Sequence, residues 1–261
     1  MLNCATRMIV GFLWVSVLVA CGGGGGGGIA AQDSKPGGLW QGTVTVAGVA
    51  PQDIFGLISE TRQFHFFQAD GVQYFGTLVM SGMSVTASFA GVPAAGRTFA
   101  DGSVKGTGTL TGTVHERSNI TFTTAFTTAN NTVTNASVTI QYDRSYDADS
   151  ALATVSGNFT TALSPGADML NISGAGVLFY QEPTSSCLAN GTVSLIDSQF
   201  DLYSAEFTFA SCVAPFDVQN GLHLTGLLTI DSTANPNLMA LAMHGTLGGN
   251  PVASLFLYQR T

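Results

Sequence analysis

Ser103-Val104-Lys105-Gly106-Thr107-Gly108-Thr109-Leu110-Thr111-Gly112-Thr113-Val114-His115 decides the fold class. Val104, Gly106, Gly108, Leu110, Gly112 and Val114 alternate with Ser103, Lys105 and a row of threonines. Side chains that change face at every residue mark a half-buried strand, here with a threonine outer face. Ile120, Phe122 and Phe126 continue the pattern against Thr121, Thr123 and Thr127. Outward in both directions the same period recurs from Leu39 almost to the end of the chain. Turn pairs punctuate it: Asp70-Gly71, Asp101-Gly102, Asn130-Asn131, Pro165-Gly166, Asn220-Gly221 and Gly248-Gly249-Asn250. No useful length holds helical periodicity after residue 20. The chain is expected to be all-β.

Eight strands are expected at about 39–47, 54–60, 62–68, 72–80, 84–90, 103–115, 119–127 and 136–142. Eight more follow at about 154–162, 168–174, 176–181, 190–197, 202–210, 221–231, 238–244 and 252–259. Two successive antiparallel meanders of this size suit two consecutive up-and-down β-barrels, because closure removes the exposed edges an open sheet would leave. The expected domains are 39–143 and 144–261, divided at the polar stretch Asp143 to Ser150. Gly38-Leu39-Trp40-Gln41-Gly42-Thr43 and Val155-Ser156-Gly157-Asn158-Phe159-Thr160 open the two halves alike, each with an aromatic shortly after a glycine.

Gly106, Gly108 and Gly112 fall on the inward phase, where a filled barrel would carry larger apolar groups. Phe64, Phe66, Phe89 and Phe122 could occupy that space. An eight-stranded barrel is just wide enough to be filled by side chains or to hold one small ligand. Filled barrels are the simpler expectation, and an apolar ligand where the glycines leave room is the alternative.

Composition excludes several classes. The 261 residues carry 8 Lys and Arg against 16 Asp and Glu, with only 9 % charged. Beyond Arg7 the lysines are just Lys35 and Lys105, so the basic stripe that a nucleic-acid partner needs is missing. An acidic, Thr/Ser-rich surface is also a poor match for anionic headgroups. Seventeen phenylalanines and 45 % hydrophobic residues can still fill a core.

The first 28 residues concern address, not fold. Arg7 precedes an apolar run from Met8 to Ala20, too short to span a bilayer of roughly 30 Å, so residues 1–20 read as a secretion signal. Leu18-Val19-Ala20-Cys21 resembles the lipobox of bacterial lipoproteins, which implies a fatty-acylated Cys21 as the lipidation site. Gly22 to Gly28 would then be a flexible tether, completed by the polar linker to Gly38. Several acyl chains hold a protein durably at a membrane where one does not. The resemblance implies a bacterial outer-membrane lipoprotein whose membrane contact runs through its lipid, on the periplasmic or the outer face. A transmembrane barrel is disfavoured by the lipobox and by a Thr/Ser outer face.

Cys187 and Cys212 remain as an even pair in an oxidising compartment, where a disulfide is the natural reading. Zinc is the alternative, although neither cysteine has a CxxC or HxxxH companion. Ser150-Ala151-Leu152-Ala153-Thr154-Val155-Ser156-Gly157-Asn158-Phe159, the cysteine pair, Gly191-Thr192-Val193 and Gly221 to Leu228 resemble β-rich lipoproteins of proteobacteria. In those the opening strand carries a tyrosine where Phe159 stands. The plan of glycine tether and small barrels is also similar to surface lipoproteins of the transferrin-binding type, although fold analogy transfers no ligand.

Chemistry is thin. His115 and His223 lie on polar phases and are expected solvated. His65, flanked by Phe64, Phe66 and Phe67, is expected partly buried, and His244 closes a strand before Gly245. No GxSxG, HExxH or P-loop is present. Asp143, Asp147 and Asp149 could offer oxygens to Ca²⁺, but they lack the glycine and distal Glu of an EF-hand loop and read more simply as a solvated hinge. Asn-x-Ser/Thr triplets at Asn119, Asn158, Asn171 and Asn190 would be glycan acceptors in a eukaryotic secreted chain and in a bacterial one reflect Thr-rich strands. The expectation is a monomeric, non-enzymatic envelope component, binding or structural, without cofactor or metal. Its partner would be a protein or a small apolar ligand, with a lipocalin-like carrier as the alternative function.

Overall fold

A computed structural model describes residues 32–162 and 168–261. The stretch expected to be a secretion signal (residues 1–20), the expected lipidation site Cys21, the glycine run and the Pro165-Gly166 turn lie outside the described residues. The chain is all-β, two closed antiparallel barrels in sequence order.

The first barrel runs β1 (Gly38–Val46), β2 (Gln52–Ile58), β3 (Gln63–Gln68), β4 (Gln73–Thr77), β5 (Val79–Ser81), β6 (Ser84–Val92), β7 (Gly106–His115), β8 (Asn119–Thr128) and β9 (Val133–Asp143). β4 and β5 are one expected strand interrupted at Leu78, whose N–H turns aside to the Arg62 carbonyl; both pieces pair with β6. The ring therefore has eight members and closes where β1 meets β9, from Leu39 opposite Asp143 to Val46 opposite Ala136. β7 begins three residues later than expected. The Ser103 N–H binds the Asp101 carboxylate and its hydroxyl accepts from the Asn130 N–H, so Ser103 belongs to the loop.

The second barrel runs β10 (Gly157–Thr161), β11 (Met169–Ile172), β12 (Val177–Glu182), β13 (Cys187–Leu195), β14 (Tyr203–Ala210), β15 (His223–Asp231), β16 (Leu238–Leu247) and β17 (Asn250–Arg260). It closes between β10 and β17, with Phe159 opposite Arg260. A one-turn helix, α1 (Leu152–Val155), stands where the expected strand would have begun. Cys187 and Cys212 form a disulfide. It ties the start of β13 to the loop after β14, and the cysteine pair is thereby a covalent staple and not a zinc site. Trp40 and Phe159, the aromatics of the two opening motifs, each occupy the third position of their first strand and are buried.

Phenylalanine and glycine face one another across strand pairs throughout: Gly56 with Phe66, Gly76 with Phe64, Gly108 with both Phe89 and Phe126, Gly112 with Phe122, Gly191 with Phe207. A ring laid over a glycine recovers the apolar contact that the missing side chain forgoes. A methyl group at Gly108 would lie 2.4 Å from the Phe89 ring. The inward glycines are thus seats for rings, as the sequence pattern predicts.

Residues 32–261 form one compact unit. Leu57, Tyr146, Leu202, Leu227 and Ala242 make a separate buried cluster from outward faces of both barrels, with Phe67, Phe200 and Leu255 packed around it. Within Asp143 to Ser150, Arg144, Ser145, Asp147, Ala148 and Asp149 are exposed as a solvated stretch would be, but Tyr146 and Ser150 are buried and tie it to the folded body. Tyr146, within the 3-10 turn Arg144–Asp147, is buried, stacks on Phe200 at 4.9 Å and donates to Glu60 Oε1 at 2.9 Å. Among the described residues no helix is long and apolar enough to cross a membrane.

Candidate functional site

Inward side chains of the first barrel form two layers. At the end that carries the β2–β3, β5–β6 and β7–β8 turns, Trp40, Ile58, Val85, Val114, Ile120 and Ile140 are each 2 % exposed or less and seal the barrel. The indole N–H of Trp40 donates to the Pro36 carbonyl at 3.1 Å, which satisfies its polar atom within this plug. Toward the other end the inward positions become small: Gly91, Gly106, Gly108, Thr124, Thr134 and Ala136. Phe89 and Phe126 stack over the glycines with centroids 6.0 Å apart and refill part of the volume. What remains is a cavity of about 250 Å³.

The cavity wall is apolar, with Val44, Ile54, Phe64, Phe66, Leu110, Phe122 and Val138 among its lining. Its mouth gathers polar groups from the loops at that end: Gln52, Gln68, Asp70, Asp101, Thr128 and Thr132. An apolar chamber with a few polar groups at one end is the usual make-up of a small-molecule site. The second barrel differs. A continuous cluster including Phe159, Leu178, Tyr203, Phe207, Leu228, Leu241 and Tyr258 packs its interior. The simpler expectation of filled barrels thus describes this interior, while the first barrel is filled at one end and hollow at the other.

The mouth is held in shape by local hydrogen bonds. Asp101 accepts from the Thr128 hydroxyl and, at 2.9 Å, from the Ser103 N–H. These bonds, the Thr128 hydroxyl foremost, pull its carboxyl down to about 2. Asn130 Nδ2 donates to the Asp101 carbonyl at 2.8 Å, which fastens the β6–β7 loop to the β8–β9 turn. Phe99 from the same loop packs on Phe126 at 5.3 Å and roofs part of the chamber. On the opposite wall the Tyr74 hydroxyl donates to Gln68 Oε1 at 2.8 Å. Burial, and then the charge of Asp70, push the Tyr74 phenol far above its ordinary range, so it stays neutral.

A second, more open groove of about 800 Å³ lies where the β6–β7 loop, Pro93 to Thr98, overhangs the disulfide end of the second barrel. Tyr180, Phe209, Leu224 and Phe256 form its floor.

The histidines separate into two pairs. His115 and His223 are exposed, and His223 lies 3.8 Å from Glu206 on the outer face of β14 and β15. His65 and His244 come together between the barrels, with ring centroids 5.9 Å apart and Phe75 stacked on His244 at 4.5 Å. His65 Nε2 shares a hydrogen bond with Gln73 Oε1 at 3.0 Å. Neither Nδ1 has a partner among the described residues. Burial first, then the His244 charge, pull His65 down to about 3, and burial also lowers His244. No carboxylate hydrogen-bonds either ring among the described residues, so this pair lacks the acid that would orient a catalytic base. Nothing in the sequence pointed to the pairing, because the two residues lie on different barrels.

Of the acidic trio, Asp149 is exposed and the other two take local roles. Asp143 caps the turn through the Ser145 N–H at 2.9 Å, and Asp147 accepts from Tyr142 and pairs with Arg117 at 3.2 Å. Among the described residues no group of three or more His, Cys, Asp or Glu side chains is placed to hold a metal ion. No family model matches the chain, and no curated protein matches it in sequence.

Proposed function

We propose that this protein is a lipid-anchored envelope lipoprotein that acts by binding, and that its first barrel is a calyx for a small, largely apolar ligand. The observation that carries the reading is the 250 Å³ apolar chamber sealed at one end by the Trp40 plug and framed at the other by fixed polar loops. Of the functions considered from sequence, the carrier gains most from this geometry. A purely structural barrel would gain stability by filling the space, since each cavity forfeits packing contacts.

The attachment of the N-terminal stretch fits an anchor at Cys21. Asp33 accepts from the Gly82 N–H at 2.9 Å and pairs with Arg62 at 3.1 Å, and the Ser34 N–H donates to the Gly82 carbonyl at 2.8 Å. Gly82 and Arg62 lie in turns at the sealed end. A chain arriving from an acylated Cys21 would therefore enter the folded body at that end, by way of the glycine tether.

Two experiments test the proposal. Radiolabelled fatty acid should mark the wild-type protein and not Cys21→Ala; equal labelling would remove the anchor. The neutral probe N-phenyl-1-naphthylamine should brighten on binding the wild type. Ala136→Trp, which places an indole on the chamber wall, should weaken that binding about ten-fold or more while the protein stays folded, because a filled pocket leaves the probe no apolar surface to bury. Undiminished binding in that variant would refute the calyx.

A further inference from the structure

The geometry points to an amphiphilic organic cation, an alkyl- or arylammonium with one compact apolar body, as the ligand class of the first barrel's calyx; this rests on the binding function proposed above. The chamber lining contains no lysine, arginine or histidine among the described residues, while its mouth contains two carboxylates, Asp70 and Asp101, from two different loops. Both are fixed. Asp70 accepts from the Val72 N–H at 3.1 Å, and Asp101 is gripped by Thr128 and Ser103. Each carboxylate oxygen can accept more than one hydrogen bond, so these contacts position the charges without exhausting them.

The basic residues of the neighbouring loop turn elsewhere. Arg97 lines the other groove, and Lys105 Nζ donates to Asn250 of the second barrel at 2.7 Å. A carboxylate headgroup at this mouth would meet two like charges and no compensating base. An ammonium at this mouth would be attracted by both carboxylates, above a chamber lined by the rings of Phe66, Tyr74, Phe89, Phe99, Phe122 and Phe126, residue types that interact favourably with cations. Tyr74, whose hydroxyl donates to Gln68 Oε1, and Gln68 add uncharged polar atoms to the same rim and no positive charge.

The test is a displacement series against bound N-phenyl-1-naphthylamine, using octyltrimethylammonium, 1-octanol and octanoate, which share one tail and differ in charge. Octyltrimethylammonium should displace the probe about ten-fold better than octanoate at low salt, the size expected when one or two carboxylates act on a nearby unit charge through a partly aqueous path. That preference should shrink in 0.5 M salt (roughly the range in which screening reaches only a few ångströms), a check that needs no variant. Asp70→Asn should reduce the preference, and Asp101→Asn gives a second, independent reading. Octanoate displacing the probe as well as the cation would overturn the cation assignment and leave the calyx standing. Failure of the probe itself to bind the wild type would overturn both.

Discussion

Lowering the pH from 7.5 to 4.5 should loosen this protein through one pair of rings. His65 is 1 % exposed, and its buried ring has an ordinary value of 6.5 pulled down to about 3 in the folded protein. Between those values the unfolded chain binds a proton that the folded chain refuses, so stability is fully present above pH 6.5 and is lost as the pH falls toward 3. At pH 4.5 the imidazole is about 99 % protonated when unfolded and only a few per cent when folded, a difference of about 3 kcal/mol from His65 alone. His244, lowered by burial, adds in the same direction. The groups facing the pair are Gln73, Phe67, Phe75 and each other, none of which compensates a positive charge as a carboxylate would. The assay is urea unfolding of the wild type and His65→Gln at pH 7.5 and 4.5. Glutamine keeps a donor for Gln73 but does not titrate. The wild type should lose about 3 kcal/mol more than the variant over this interval. Carboxylates titrate equally in both proteins, so they cancel in the comparison. Equal losses would refute the assignment of this acid sensitivity to His65.

Two further outcomes follow from the strand geometry. Replacing both Cys187 and Cys212 by alanine opens a loop of sequence separation 25 and should cost about 3 kcal/mol by the chain-entropy estimate, read as a fall in the urea midpoint that reductant reproduces in the wild type. Gly191→Ala would set a methyl carbon 1.8 Å from the Glu206 carbonyl oxygen and should destabilise by about 3 kcal/mol, whereas Gly174→Ala, with open space around it, should be neutral within about 1 kcal/mol in thermal melts.

Much of the fold was legible because a strand's alternation is local. Thr107 to Thr113 and Gly106 to Gly112 announce two faces without reference to any other part of the chain, and the turn pairs set the strand lengths. The ring-over-glycine pairing was also readable, since Gly106, Gly108 and Gly112 leave room on the inward phase that Phe64, Phe66, Phe89 and Phe122 could occupy. The candidate site was legible only in part. Gly106 and Gly108 marked missing volume, but Asp101 and Thr128 become neighbours at the mouth only when the loop after β6 folds onto the turn after β8. Tyr146 sits in a polar stretch that resembles a linker, and its burial depends on Leu57 and Leu202 arriving from opposite sides.

By itself the sequence determined that this chain is built of strands with alternating faces, and it marked Cys187 and Cys212 as natural partners. Period-two patterning acts within a few residues and is therefore written in every segment separately. Only the tertiary structure decided that one barrel is hollow at one end and the other packed, and that His65 and His244 meet between the barrels. Leftover volume depends on all eight walls at once. A face's contact with water depends on whether another barrel covers it, and no single strand contains that information.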